Sequence, residues 1–197
     1  MVRRTAYRLA IALVAAVATA CSSATARFYT LDALAASDGG PPASYAVAVG
    51  PVSVPAAVDR PQFVVQVAPN RVDLDEFNRW AAPLGDSIAR VVAANLVVLL
   101  GTPRVATSPL PPDFAPTYRV AISVQRFESV AGQAAIVEAL WSVRRSGGGD
   151  ARAGQTVARE AVSADGFDAL AAAHSRALAT LSSDIAAAIR ASPAPVR

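Results

Sequence analysis

Cys21 and His174 are the single cysteine and the single histidine of this 197-residue chain, and their positions bound the chemistry it can do. One thiol and one imidazole cannot assemble a nitrogen- or sulfur-ligated zinc site, which takes three or four such ligands. Nucleophilic catalysis by cysteine needs a free thiol, and Cys21 is better explained by another use, taken up below. His174 falls in line with Leu170, Leu178, Leu181, Ile185 and Ile189 at helical spacing, so a packed, hydrogen-bonded core residue is expected rather than a catalytic base. The remaining candidates are carboxylates. Asp73, Asp75 and Glu76 lie close together, and two acids at the right separation are all a glycan hydrolase needs, but solvated turn residues explain these three more simply. The chain has no GxxxxGK[ST], no GxGxxG behind a strand and no GxSxG. A protein that is not an enzyme and carries no metal or soluble cofactor is expected, and any nucleotide that drives its system would be bound by another subunit.

Around Cys21 the residues form an address. Arg3, Arg4 and Arg8 give a positive head, residues 9–18 an apolar run, and Ala18-Thr19-Ala20 a set of small residues just before the cysteine. This is the three-part layout of an export signal, and the run is well short of the roughly 20 residues that span a bilayer. With Cys21 the segment resembles a bacterial lipobox, although Ala18 stands where leucine is usual. The thiol can carry diacylglycerol and, after cleavage, the freed amine a third acyl chain; several chains together hold a protein stably on a membrane. The expected boundaries are residues 1–20 for a lipoprotein signal peptide, 21–27 for a lipidated tether, 28–191 for one folded domain and 192–197 for a flexible tail. A competing cut after Ala24-Thr25-Ala26 would release a soluble chain without the cysteine. The position of the only cysteine, where the apolar run ends, favours lipidation. Ser22 follows it where enteric lipoproteins retained in the inner membrane favour aspartate, which points to the outer membrane, facing the periplasm.

The formal charge of +3 and the pI near 9.6 suggest nucleic acid at first sight. All 18 basic residues are arginine, however, and three precede Cys21, leaving fifteen against fifteen acids in the processed chain. The basic signal therefore belongs to targeting. There is no arginine stripe interleaved with aromatics, and no nucleic-acid partner is expected.

The elements that must position these residues follow from periodicity. Phe28-Tyr29-Thr30-Leu31 reads as a strand and residues 35–44 as a loop. From Tyr45 to Pro55 the apolar alternation slips by one residue across Gly50-Pro51, which predicts a bulge or sharp bend. Phe63, Val65 and Val67, a turn at residues 68–71, and Val72 with Leu74 predict a hairpin with a short return strand. A helix starts with Pro83 as its first residue, buries Leu84, Ile88, Val91, Asn95 and Leu99, and stops at Gly101 and Pro103. Residues 118–127, 134–143 and 156–163 read as an antiparallel meander, and a second helix runs from about Phe167 to Arg190. The fold class is α/β in the mixed, α+β sense: one domain, a mixed and mostly antiparallel sheet covered by two main helices.

The block Val47-Ala48-Val49-Gly50-Pro51-Val52, then Pro55 to Gln62 with Asp59-Arg60-Pro61-Gln62, then Asn70, Arg79-Trp80-Ala81-Ala82-Pro83-Leu84 and Asn95-Leu96 resembles the ABC-type transport auxiliary lipoprotein family, the PqiC-like lipoproteins of intermembrane transport. The opening Phe28-Tyr29-Thr30-Leu31 joins the match, which covers roughly residues 28–143. Ala82 stands where the family often has glutamate, and Ala57 where an aromatic is common. The resemblance implies an outer-membrane lipoprotein that works with an MCE-domain protein and a membrane permease to move lipid between two membranes. Self-association as a ring-like collar is compatible with that role, although no residue demands it. The candidate partner-binding residues are Asp59, Arg60, Pro61, Arg79 and Trp80, since tryptophan and arginine are favoured interface anchors. Each also has a structural explanation: Asp59-Arg60 as a local ion pair or cap, Trp80 packed under the helix that begins at Pro83, Asn95 satisfying a nearby backbone group. The rival function is an envelope structural or assembly lipoprotein of the Tol- or peptidoglycan-associated kind.

Overall fold

The structure, a computed structural model, describes residues 25–192 apart from 38 and 150, so the signal segment, Cys21 and residues 193–197 lie outside the described residues. The elements run β1 (Arg27–Tyr29), β2 (Val47–Ser53), β3 (Gln62–Ala68), β4 (Arg71–Trp80), α1 (Leu84–Leu100), β5 (Val105–Thr107), β6 (Tyr118–Val130), β7 (Ala134–Arg145), β8 (Arg152–Ala161) and α2 (Phe167–Arg190). β6 is the spine. One of its edges pairs antiparallel with β7 over the whole length, and β7 pairs antiparallel with β8, which is the expected meander. Its other edge is shared end to end by two parallel neighbours, β2 beside Tyr118–Ser123 and β3 beside Ser129–Val130. β5 extends the β2 end; β4 and then β1 extend the β3 end. The sheet is mixed, as expected. Antiparallel pairing covers most of the paired residues, yet four of the seven strand pairs are parallel. β5 is absent from the sequence reading because three half-buried residues are too few to show an alternation.

Side chains alternate strictly along a strand, so a change of facing needs a slip in register. On β6, Tyr118, Val120, Ile122 and Val124 face the core; the register then shifts between Val124 and Arg126, and Phe127 and Ser129 take the inward positions. β2 shifts between Val49 and Val52, at the cis Gly50-Pro51 peptide, where the sequence predicted its bend. The return strand of the hairpin is longer than expected. Asp75 Oδ1 accepts the N–H groups of Phe77 and Asn78 at 2.9 and 2.8 Å, which bulges residues 76–78 and lets β4 resume beside β1 as far as Trp80. β8 also starts earlier than predicted, at Arg152, where its pairing with Val143 of β7 begins.

The helices cover the sheet, α1 against β2 and β5, α2 against β7 and β8, and each against the other. Leu84, Ile88, Val91, Asn95 and Leu99 are buried, as their spacing predicted. Pro83 is the N-cap rather than the first helical residue: its ψ of 134° is extended while its carbonyl already accepts the Ser87 N–H at 3.0 Å. Gly101 ends α1 in the left-handed region at φ 61°, donating its N–H to the last-turn carbonyls of Val97 and Val98. A polar tie joins the helices: Asn95 donates Nδ2–H to Ser182 Oγ at 3.1 Å and accepts the Ala35 N–H on Oδ1 at 2.9 Å. The segment after β1 is thereby strapped over both helices, with further bonds from the Asp32 N–H to Ser175 Oγ and from the Ala43 N–H to the Leu100 carbonyl. Fully buried Phe63, Leu96, Leu178, Leu181 and Ile185 lie beneath this strap and the sheet, each contributing about 1.5–3 kcal/mol by leaving water.

Candidate functional site

Two corners meet between Pro55 and Leu84. The N–H groups of Val58 and Asp59 both donate to the Pro55 carbonyl, at 3.0 and 3.1 Å, and Arg60 N–H donates to the Val58 carbonyl at 2.8 Å, closing a tight loop ahead of β3. Pro61 has no N–H, but its carbonyl accepts the Trp80 N–H at 2.7 Å and clamps the loop to the end of β4. The Ala81 N–H donates to the Tyr29 carbonyl at 2.9 Å, so β1 holds the second corner from behind. Between the corners lies a cleft of about 400 Å³, with Asp59, Arg60 and Pro61 on one wall and Trp80, Ala81, Ala82, Pro83 and Leu84 on the other.

Trp80 is 6% exposed and forms the floor. Its ring stacks on Phe63 at 4.3 Å and meets Phe127 and His174 edge-on at 6.0 and 6.1 Å. Trp80 lines the cleft beside Pro83 and Leu84, and its ring contacts run to β3, β6 and α2. His174 is the fully buried core histidine that its place on the apolar stripe predicted. Its ring lies parallel to Phe127 at 3.9 Å, and Nε2 is 2.8 Å from Ser129 Oγ. Burial pushes its pKa down to about 3, so the ring is neutral. Nδ1 is buried without a partner, which assigns the proton to Nε2: a bare lone pair is less costly to bury than a stranded N–H.

Arg60 is half-buried, and its Nε is enclosed with no hydrogen-bond partner among the described residues. The expected Asp59-Arg60 ion pair is not formed; backbone bonds hold the turn, and the exposed Asp59 stands at the rim of the cleft. An enclosed donor without an acceptor costs about 1–3 kcal/mol. The cleft thus combines apolar walls with one guanidinium donor. It is suited to holding an apolar group that carries a carbonyl or carboxylate oxygen.

The structure brings four of the five candidate residues together, Asp59, Arg60, Pro61 and Trp80, and sends Arg79 elsewhere. β4 alternation turns Arg79 away from Trp80, where its Nη2 lies 3.0 Å from Glu76 Oε2 and its Nε donates to the Glu76 carbonyl at 2.8 Å. Gln62 joins this exposed cluster through Nε2. The wall formed by Ala81, Ala82 and Pro83 was not singled out in the sequence as a lining, because small side chains announce no contact until something faces them. The three acids do separate jobs. Glu76 pairs with Arg79, and Asp73 is exposed. Asp75 is slightly desolvated, but hydrogen bonds from the Asn78 side chain and from the N–H groups of Asn78 and Phe77 outweigh this and hold its carboxyl below the usual range. Among the described residues no three His, Cys, Asp or Glu side chains gather in a way that could hold a metal, and no helix is long and apolar enough to cross a membrane.

The family model described as "ABC-type transport auxiliary lipoprotein component" matches residues 29–186. No curated protein matches the chain. Among solved structures it is similar to an uncharacterized protein, with 22% identity over 84% of this chain and 99% of that one at a TM-score of 0.69. It is also similar to protein XCC0632 from Xanthomonas campestris, of family DUF330, with 23% identity over 82% and 93% of the two chains at a TM-score of 0.68. These likenesses show a shared fold. A looser one to a PelC dodecamer from Paraburkholderia phytofirmans, 15% identical over 73% and 92% with a TM-score of 0.38, bears on nothing further. The family match takes in both walls of the cleft, both helices and most of the sheet, and by it the chain belongs to the ABC-type transport auxiliary lipoprotein family.

Proposed function

We propose that the protein is a lipid-anchored accessory subunit of an MCE-type, ABC-linked intermembrane lipid transport system, held by Cys21 on the periplasmic side of the outer membrane. In this reading it works by docking to the MCE-domain protein and permease of its system, and its only prosthetic group is the covalent lipid. The single observation that carries the docking role is the cleft over Trp80, which sets Arg60 across from the apolar wall formed by Ala81, Ala82, Pro83 and Leu84. A partner segment that inserts an apolar side chain carrying an acceptor oxygen would cover those walls and meet the guanidinium of Arg60, and arginine and tryptophan positions of this kind are where binding energy concentrates. A non-catalytic role is supported by the side chains with chemical potential: His174 is sealed in the core and neutral, and Asp75 and Glu76 are committed to a turn and an ion pair.

The test is affinity recovery from native membranes, with wild type and Arg60→Leu compared at equal abundance. Wild type should bring down the MCE-domain protein and the permease, and Arg60→Leu should lose most of that recovery. Recovery of Tol or cell-wall proteins without any MCE-domain protein would defeat the reading in favour of an envelope assembly role. Mass spectrometry of the processed chain settles the anchor separately, by whether the first residue is acylated Cys21.

A further inference from the structure

Four of the nine exposed large apolar side chains among the described residues sit on two adjacent strands: Phe28 at 64%, Val72 at 54%, Phe77 at 49% and Leu74 at 44% exposure. The register places them together. Phe28 lies beside Arg79 on β4, two residues from Phe77, while Leu74 and Val72 lie opposite Val64 and Gln66 on β3. β1 covers β4 only from Asn78 to Trp80, so the outer edge of Arg71–Asp75 has no strand partner among the described residues. Apolar side chains clustered along an open edge are a liability unless something covers them.

We infer that this ridge of β1 and β4 rests on the lipid surface to which the chain is anchored. The argument for lipid is covalent. The proposed anchor, Cys21, is six residues before Arg27, a reach of at most about 20 Å when extended, and the chain enters the fold through β1 itself. The anchored residue is therefore held within that distance of Arg27, the first residue of β1 and the neighbour of Phe28, and tethering turns a weak apolar contact into a contact at high effective concentration. The charges beside the ridge agree. Arg79, the register partner of Phe28, is placed to lay its apolar stem along it and keep its guanidinium group at the headgroups. Of the nearby acids, Asp73 alternates to the face opposite Val72 and Leu74, Glu76 is paired with Arg79, and Asp75 is bound into its turn. The domain then sits on its bilayer in one orientation instead of swinging from it. The inference rests on the lipidation of Cys21 and adds a surface that lipidation alone does not require.

The experiment uses the processed, full-length protein reconstituted into phosphatidylcholine vesicles with brominated acyl chains. With Cys21 blocked by its thioether, an introduced cysteine is the one reactive thiol; Leu74→Cys and Phe28→Cys place a bimane label on the ridge, and Val157→Cys, at a 61% exposed position on the far edge strand β8, places a control. Two ridge positions guard against a fold defect in either variant. Bromolipid quenching at 74 and 28, with none at 157, is the expected result. Labels at 74 and 28 that stay as bright as in unbrominated vesicles overturn the inference while leaving the anchor intact, and so does shielding of these labels only in a multimer, which assigns the ridge to a second copy of the chain. Absence of acyl mass on the processed chain overturns the anchor reading and this inference with it.

Discussion

Lowering the pH should destabilise the protein through one residue, and the size of the effect follows from where that residue sits. His174 is fully buried, its ring lies flat on Phe127, and its pKa is held near 3 by burial, against 6.5 for an exposed imidazole. Between those values the unfolded chain takes up a proton that the folded chain refuses, so stability is fully present above pH 6.5 and falls as the pH drops towards 3. The slope below the unfolded pKa approaches about 1.4 kcal/mol per pH unit, which gives a loss of about 1.4 kcal/mol between pH 7.5 and 5.5 and about 2.7 kcal/mol by pH 4.5. Refusal is reinforced by geometry, because a protonated ring would carry an N–H on Nδ1, and Nδ1 has no acceptor. The assignment is clean because His174 is the only histidine in the chain, and carboxylates titrate mostly below this window. Urea unfolding midpoints at pH 7.5, 6.5 and 5.5 measure the effect, with non-titrating His174→Gln as reference. The wild-type midpoint should fall and the variant's should stay level, whatever the variant's absolute stability. A level wild-type profile, or an equal fall in His174→Gln, would refute the reasoning.

Other perturbations read other parts of the structure. Asn95→Ala breaks the tie between the helices and strands the Ala35 N–H, so chemical unfolding should show a loss of about 2–4 kcal/mol; less than 1 kcal/mol would mean that the strap after β1 does not depend on this side chain. Gly154→Ala drives a Cβ into the indole ring of Trp141 and should cost about 1–3 kcal/mol, with a shift in tryptophan emission as the indole leaves its bond to Thr156. Arg79→Ala removes only an exposed pair with Glu76 and should change the melting temperature little, by the equivalent of less than about 1 kcal/mol. Ala82→Trp fills the cleft with a bulky ring at an exposed position; the fold should be kept and recovery of transport partners lost, and undiminished recovery would remove the cleft from the docking surface.

Much of the fold was legible because it rests on patterns that act locally. The core face of α1, its stop at Gly101, the whole span of α2 and the bend at Gly50-Pro51 were all read from spacing. Helical period, left-handed glycine and a slip in alternation each impose their geometry within a few residues. The misses share the opposite property. β4 outlasts its predicted end because the Asp75 carboxylate catches two backbone N–H groups and the strand finds β1 on the far side. β5 exists because β2 offers an edge to three residues that show no pattern of their own. Parallel pairing of β2 and β3 along one edge of β6 joins segments more than sixty residues apart, and no local rule encodes it.

The candidate site divides along the same line. The family resemblance marked Asp59, Arg60, Pro61, Arg79 and Trp80 as a candidate docking set, and helical periodicity assigned His174 to the core, since a repeating pattern bounds where a side chain can point. Only the tertiary structure decided which of them face one another. The Pro61 carbonyl bonded to the Trp80 N–H closes a cleft around Arg60, and strand alternation turns Arg79 out of it. The shift in β6 brings Phe127 and Ser129 under His174. Whether a guanidinium finds an acceptor, or an imidazole a proton, depends on enclosure by chain segments distant in sequence, and enclosure is a property of the assembled fold.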